Sequence, residues 1–66
     1  MELEYLGNKI KEKRLKKGLT QLDLAKRLCV SSKAVSKWET HRCYPDINLL
    51  SDIALILDIR VLMAIT

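Results

Sequence analysis

LTQLDLAKRLCVSSKAVSKWET, residues 19–40, decides how this chain is read. Two apolar rhythms of helical period lie in it, separated by Cys29, Val30 and Ser31. Leu24, Ala25 and Leu28 share one face in the first, and Val35 and Trp38 share one face in the second. Both rhythms open alike. Thr20 stands between Leu19 and Leu24, and Ser31 between Val30 and Val35. Each is a small polar N-cap flanked by an apolar pair that staples the helix entry. Asp23 can return a hydrogen bond to Thr20 and form a variant of the capping box. The pattern predicts helices over residues 21–28 and 32–39 with a tight turn between them. Ala25 is small enough for the second helix to cross closely.

Outward from this stretch the chain stays helical. Upstream, Leu3, Leu6 and Ile10 mark one face of a helix over residues 3–17, and Arg14 follows one turn later on that face. Acids near its start (Glu2, Glu4) and Lys16 and Lys17 near its end suit the helix dipole. Gly18 supplies a left-handed stop. Downstream, Asp46 between Pro45 and Leu50 repeats the cap and staple. It predicts a helix over residues 47–57 with Leu50, Ile53, Ala54 and Leu57 inward. A short fifth helix is expected over residues 61–65. No alternating strand pattern occurs. The fold class is therefore all-α, a compact five-helix domain covering the whole chain.

Composition narrows the function. A chain of 66 residues buries only about 60% of its unfolded surface, which leaves little room for an enclosed substrate pocket. Hydrophobic residues make up 48%, too many for a disordered tail. The net charge of +4 permits contact with a polyanion without requiring it. Cys29 and Cys43 are too few for a disulfide framework and read as free thiols in a reducing cytoplasm. With His41 they make at most three metal ligands where structural zinc usually takes four, so no metal or other cofactor is expected. No apolar run approaches the roughly 20 residues that span a bilayer, so no membrane partner is expected. No nucleophile, base and orienting group can be assembled around the single histidine, which argues against an enzyme and its small-molecule substrate.

The second helix of the opening stretch has an outward face of definite chemistry. With Val35 and Trp38 turned in, Ser32, Lys33, Ser36 and Lys37 turn out together. Lysine can donate to O6 and N7 of guanine, and serine can donate or accept at several base edges. The start of the preceding helix, at Thr20 and Gln21, offers free backbone amides that suit a phosphate. Ser31, Thr40 and Arg42 flank the outward face at its two ends and are further candidates for the phosphate backbone.

The chain resembles the Cro and lambda-repressor type of helix-turn-helix proteins, often called XRE-like. The residues that carry the likeness are Ile10 with Arg14, Gly18-Leu19-Thr20-Gln21, Leu24-Ala25, Val30-Ser31, Val35-Ser36 and Trp38-Glu39. Pro45, Leu50, Ile53-Ala54 and Leu57 complete it. The likeness spans residues 6–59. It implies a sequence-specific binder of double-stranded DNA, a bacterial or phage-encoded transcriptional regulator working as a repressor. Ser32, Lys33, Ser36 and Lys37 would read bases, and Gln21, Thr40 and Arg42 would hold phosphates. It also implies that Arg14 pairs with Glu39. The residues agree, since an arginine on an apolar stripe needs a partner and a guanidinium fits a carboxylate. Helix ends suggest a partly open pair.

Three departures matter. Cys29 and His41 stand where the family usually has glycine, and a non-glycine residue in a left-handed conformation costs roughly 1–2 kcal/mol. The last residues are unusually apolar: Val61, Leu62, Met63 and Ile65 exceed what one small core can take, and mark a homodimer interface. The six basic residues from Lys9 to Lys17 read mostly as a solvated face, with Lys16 or Lys17 nearest a phosphate. The competing reading is a protein-interaction module, such as an antitoxin-like partner or an adaptor that has lost DNA binding. An acid among the outward side chains of the 32–39 helix would favour it.

Overall fold

The structure, a computed structural model, describes residues 3–59. Four helices follow in order: α1 (Leu3–Lys16), α2 (Gln21–Leu28), α3 (Ser32–Glu39) and α4 (Ile47–Leu57). No strand occurs among the described residues. The described architecture thus has four helices, not five, and the helix expected over residues 61–65 lies outside the described residues. α1 stops one residue short of its expected end, where Lys17 and Gly18 turn out of the helix.

Each of the later helices starts on its small polar cap. Thr20 Oγ1 accepts from the Asp23 amide at 2.9 Å, and Asp23 Oδ2 accepts from the Thr20 amide at 2.9 Å, a reciprocal capping box. Ser31 Oγ accepts from the Ala34 amide at 3.2 Å. Asp46 Oδ1 accepts from the Asn48 amide at 3.2 Å. These bonds satisfy amides that the first helical turn leaves without partners.

The helix ends share one device as well. Gly18, Cys29, His41 and Asp58 all take positive φ, at 71°, 59°, 62° and 57°. After each, the next amide reaches back across the turn: Leu19 to the Arg14 carbonyl at 3.0 Å, Val30 to Ala25 at 3.0 Å, Arg42 to Lys37 at 2.8 Å and Ile59 to Ala54 at 3.0 Å. This is the Schellman closure, repeated four times and made with glycine once. Asp and His enter the left-handed region more readily than most side chains. Cys29 has no such excuse, and its turn carries the strain that its identity foretold.

The core is aliphatic apart from Trp38. Leu6 and Ile10 of α1, Leu24, Ala25 and Leu28 of α2, Val35 and Trp38 of α3, and Ile53, Leu57 and Ile59 from α4 onward form one buried cluster. Leu50 and Ala54, expected inward, are only half-buried. α4 packs on α1 and α2 from one side, so residues at the edge of its apolar stripe stay at the rim.

The crossing of α1 over α3 depends on Gly7. A methyl group there would lie 2.3 Å from the Trp38 carbonyl oxygen and 2.8 Å from His41 Cδ2. The first cannot be relieved without moving backbone, and the second requires the His41 side chain to turn away. Glycine inside a helix costs roughly 0.5–1 kcal/mol relative to alanine, and here the close approach requires it.

Candidate nucleic-acid interface

The inner side of the α2–α3 unit is closed by charge. Arg14 Nε donates to Glu39 Oε2 at 2.7 Å, and Nη2 donates to Oε1 at 2.9 Å. Nη1 donates to the Leu19 carbonyl at 2.8 Å. Gln21 Nε2 also donates to Glu39 Oε1, at 3.1 Å. One carboxylate therefore ties the end of α1, the start of α2 and the end of α3. The side chains of Arg14 and Glu39 are only 8% and 3% exposed, so the pair is buried and not partly open. The reason is tertiary: Leu19 and Gln21 close over the helix ends that bare helical geometry leaves accessible. Donating to the Glu39 carboxylate raises the Arg14 pKa above its ordinary value, against the opposing effect of burial, and the nearby charge adds to it. No buried side-chain nitrogen or oxygen among the described residues lacks a partner.

The other side of α3 is the reverse. Lys33 and Lys37 are exposed, four residues apart on one face, with Ser32 and Ser36 half-buried beside them. The single acid of α3 is Glu39, which is turned inward. No acid stands among the outward side chains.

The flanking candidates differ in what they can still offer. At the start of α2, the cap uses the amides of Thr20 and Asp23 and leaves those of Gln21 and Leu22 to the outside. The Gln21 side chain is half-buried and has given one donor to Glu39. Asp23 is exposed at this helix end. Its hydrogen bonds from Thr20, backbone first and then side chain, hold its carboxyl below the ordinary range. Ser31 keeps its hydroxyl proton, since its oxygen accepts from Ala34. Thr40 is placed otherwise. Its hydroxyl donates to the Ser36 carbonyl at 2.8 Å and its amide to the same oxygen at 2.9 Å, which leaves no donor for a phosphate in this conformation. Arg42 is exposed. Val61, Leu62, Met63 and Ile65 lie outside the described residues.

Several residues that hold this surface in place gave no signal as such in the sequence. Gly7 reads as a helix breaker unless its place between Leu6 and Ile10 on the buried stripe is noticed. His41 Nε2 lies 3.1 Å from Asn8 Oδ1, a contact across 33 residues that no local pattern announces. Lys13, Lys16 and Lys17 line one open cleft with Leu57 and Asp58 at the C-terminus of α4. That helix has no base in its own last turn, and these lysines from the end of α1 and the residue after it lie on the side its dipole favours.

The geometry is that of two short helices locked at a fixed angle, the second presenting a basic, acid-free face. A family profile described as Helix-turn-helix matches residues 10–62. The chain belongs to this family, the XRE-like helix-turn-helix proteins of the Cro and lambda-repressor type, and is a DNA-binding regulator. The family is a regulatory one and not typically enzymatic. A search of curated proteins finds no match. Among the described residues no helix is long and apolar enough to cross a membrane.

Proposed function

We propose that the chain is a transcriptional repressor that binds a palindromic operator as a homodimer and acts by covering the promoter. α3 lies in the major groove, where Lys33 and Lys37 donate to guanine edges and Ser32 and Ser36 make shorter contacts. The amides of Gln21 and Leu22, with Thr20, Ser31 and Arg42, hold phosphates on either side. Thr40 joins them once its hydroxyl turns from Ser36. The observation that carries the reading is the unpaired, acid-free outward face of α3 beside an inward face with every polar group engaged. That same observation argues against the protein-interaction module.

The dimer is assigned to Val61, Leu62, Met63 and Ile65, whose apolar crowding suits a two-fold contact. Such a contact places two recognition helices about 34 Å apart, one turn of duplex. The two exposed thiols, Cys29 and Cys43, suit a bacterial or phage protein of the reducing cytoplasm. Selection of bound sequences from random duplex DNA tests the whole reading. The expected result is a two-fold symmetric site with guanines in each half and affinity that falls steeply with salt. Failure to enrich any sequence overturns it.

A further inference from the structure

We infer that the outer face of α4 is where a second copy of this chain docks, as an antiparallel helix pair centred on Ser51. The inference rests on the homodimer proposed above and sets α4, in place of residues 61–65, as its contact surface. α4, INLLSDIALIL, is apolar around most of its circumference, more than one small domain covers. Ile47 is 78% exposed and Leu55 82%, more than any other exposed large apolar side chain among the described residues. They are eight residues apart, and Ser51 lies midway at helical spacing, so the three form one stripe. Ala54, half-buried, borders it.

The stripe is complementary to itself. About a two-fold axis through Ser51, Ile47 of each copy meets Leu55 of the other, and the small serine at the centre lets the helices approach. A two-fold contact needs such a patch. Charge selects the same face. α4 has no lysine or arginine, whereas α1, α2 and α3 all carry them. Two chains of net charge +4 meet there with the least repulsion. Antiparallel packing also sets the two helix dipoles in their favourable sense. α4 packs on α1 and α2, so this pairing leaves the outward face of α3 open to DNA.

The test combines sedimentation of the full chain with cross-linking. The parent chain is expected to dimerise. Leu55→Glu, at an exposed position, should keep its helical circular dichroism and raise the dimer dissociation constant at least about tenfold. In a chain carrying Cys29→Ser and Cys43→Ser, Ser51→Cys should oxidise to a covalent dimer, and Asp52→Cys, off the axis, should not. A parent dimer that survives Leu55→Glu and dissociates with Leu62→Glu overturns the α4 assignment and leaves the dimer reading standing. A parent that stays monomeric at every concentration overturns both. Loss of helical signal in Leu55→Glu means that residues 60–66 of the same chain cover the face, and it also overturns the assignment, as does a Ser51→Cys chain that stays monomeric under oxidation.

Discussion

The two faces of α3 obey opposite rules. Its inner face leaves nothing open: Val35 is fully buried, Trp38 nearly so, and Glu39 holds three donors from two other segments. Its outer face, Ser32, Lys33, Ser36 and Lys37, takes no part in the core. Eight residues thus divide between holding position and meeting a partner. Substitutions on one face should change stability and leave recognition intact wherever the fold survives. Substitutions on the other should do the reverse.

The largest effect belongs to the inner face. Glu39→Ala leaves a buried guanidinium without its carboxylate, which costs about 3–5 kcal/mol. A chain of this size has only about 3–10 kcal/mol in total, so thermal melts should show a chain near its limit. The double change of Arg14→Met and Glu39→Leu should recover much of the loss, because an apolar pair can replace a buried ion pair. A Glu39→Ala melt matching the parent would remove the clasp from the account.

Gly7→Ala comes next, at about 1–3 kcal/mol of destabilisation from forced movement of backbone at Trp38. It tests whether the inner face is fixed by close approach as well as by charge. Denaturant titration reads it, and a neutral or stabilising result would show that α1 can lift away from α3 freely.

On the outer face, Lys33→Ala and Lys37→Ala should alter stability by less than about 0.5 kcal/mol. Each should cost about 1–3 kcal/mol in operator binding and relax the preference at one base pair. Equal losses on all sequences would make them phosphate contacts instead.

The turn joining the two helices sharpens the comparison with a gain. Cys29→Gly removes left-handed strain of roughly 1–2 kcal/mol and adds back roughly 0.5–1 kcal/mol of chain entropy. The melting temperature should rise by a few degrees. Asp58→Gly should gain less, since aspartate tolerates that conformation.

The smallest effect is in acid. Asp23 has its pKa lowered on folding by its bonds from Thr20. Its contribution is therefore complete above the ordinary carboxylate range and is lost as pH falls through the lowered value. Asp23→Asn should flatten the acid side of the stability profile slightly, and an unchanged profile would show that the capping box does not couple to folding.

Local chemistry made most of this legible in advance. Caps at Thr20, Ser31 and Asp46 and the stop at Gly18 announced themselves, because each depends on neighbours within a few residues. The left-handed turns at Cys29 and His41 were readable only through the family's glycines. What stayed hidden was long-range. Nothing near Gln21 says that its amide turns to Glu39 and not outward, and nothing near Thr40 says that its hydroxyl folds back on Ser36. The depth of the Arg14–Glu39 pair depends on Leu19 and Gln21 closing over it, a matter of tertiary placement. Leu50 and Ala54 were read as interior from periodicity, which cannot tell how far a neighbouring helix reaches.

Gly7 has a bearing on how well the recognition helix is aimed. Where two helices meet through side chains, their separation can drift as rotamers exchange. At Gly7 the gap beside the Trp38 carbonyl leaves no room even for a methyl group, and a peptide backbone has no rotamers to exchange. The distance from the supporting helix to the reading helix is then set by covalent geometry on both sides, like a machined stop in place of a sprung one. A displacement of about 1 Å is enough to spoil a bidentate contact to a base edge, so under the proposed reading this bare spot on the far side of α3 would serve as a reference surface for the lysines that face outward.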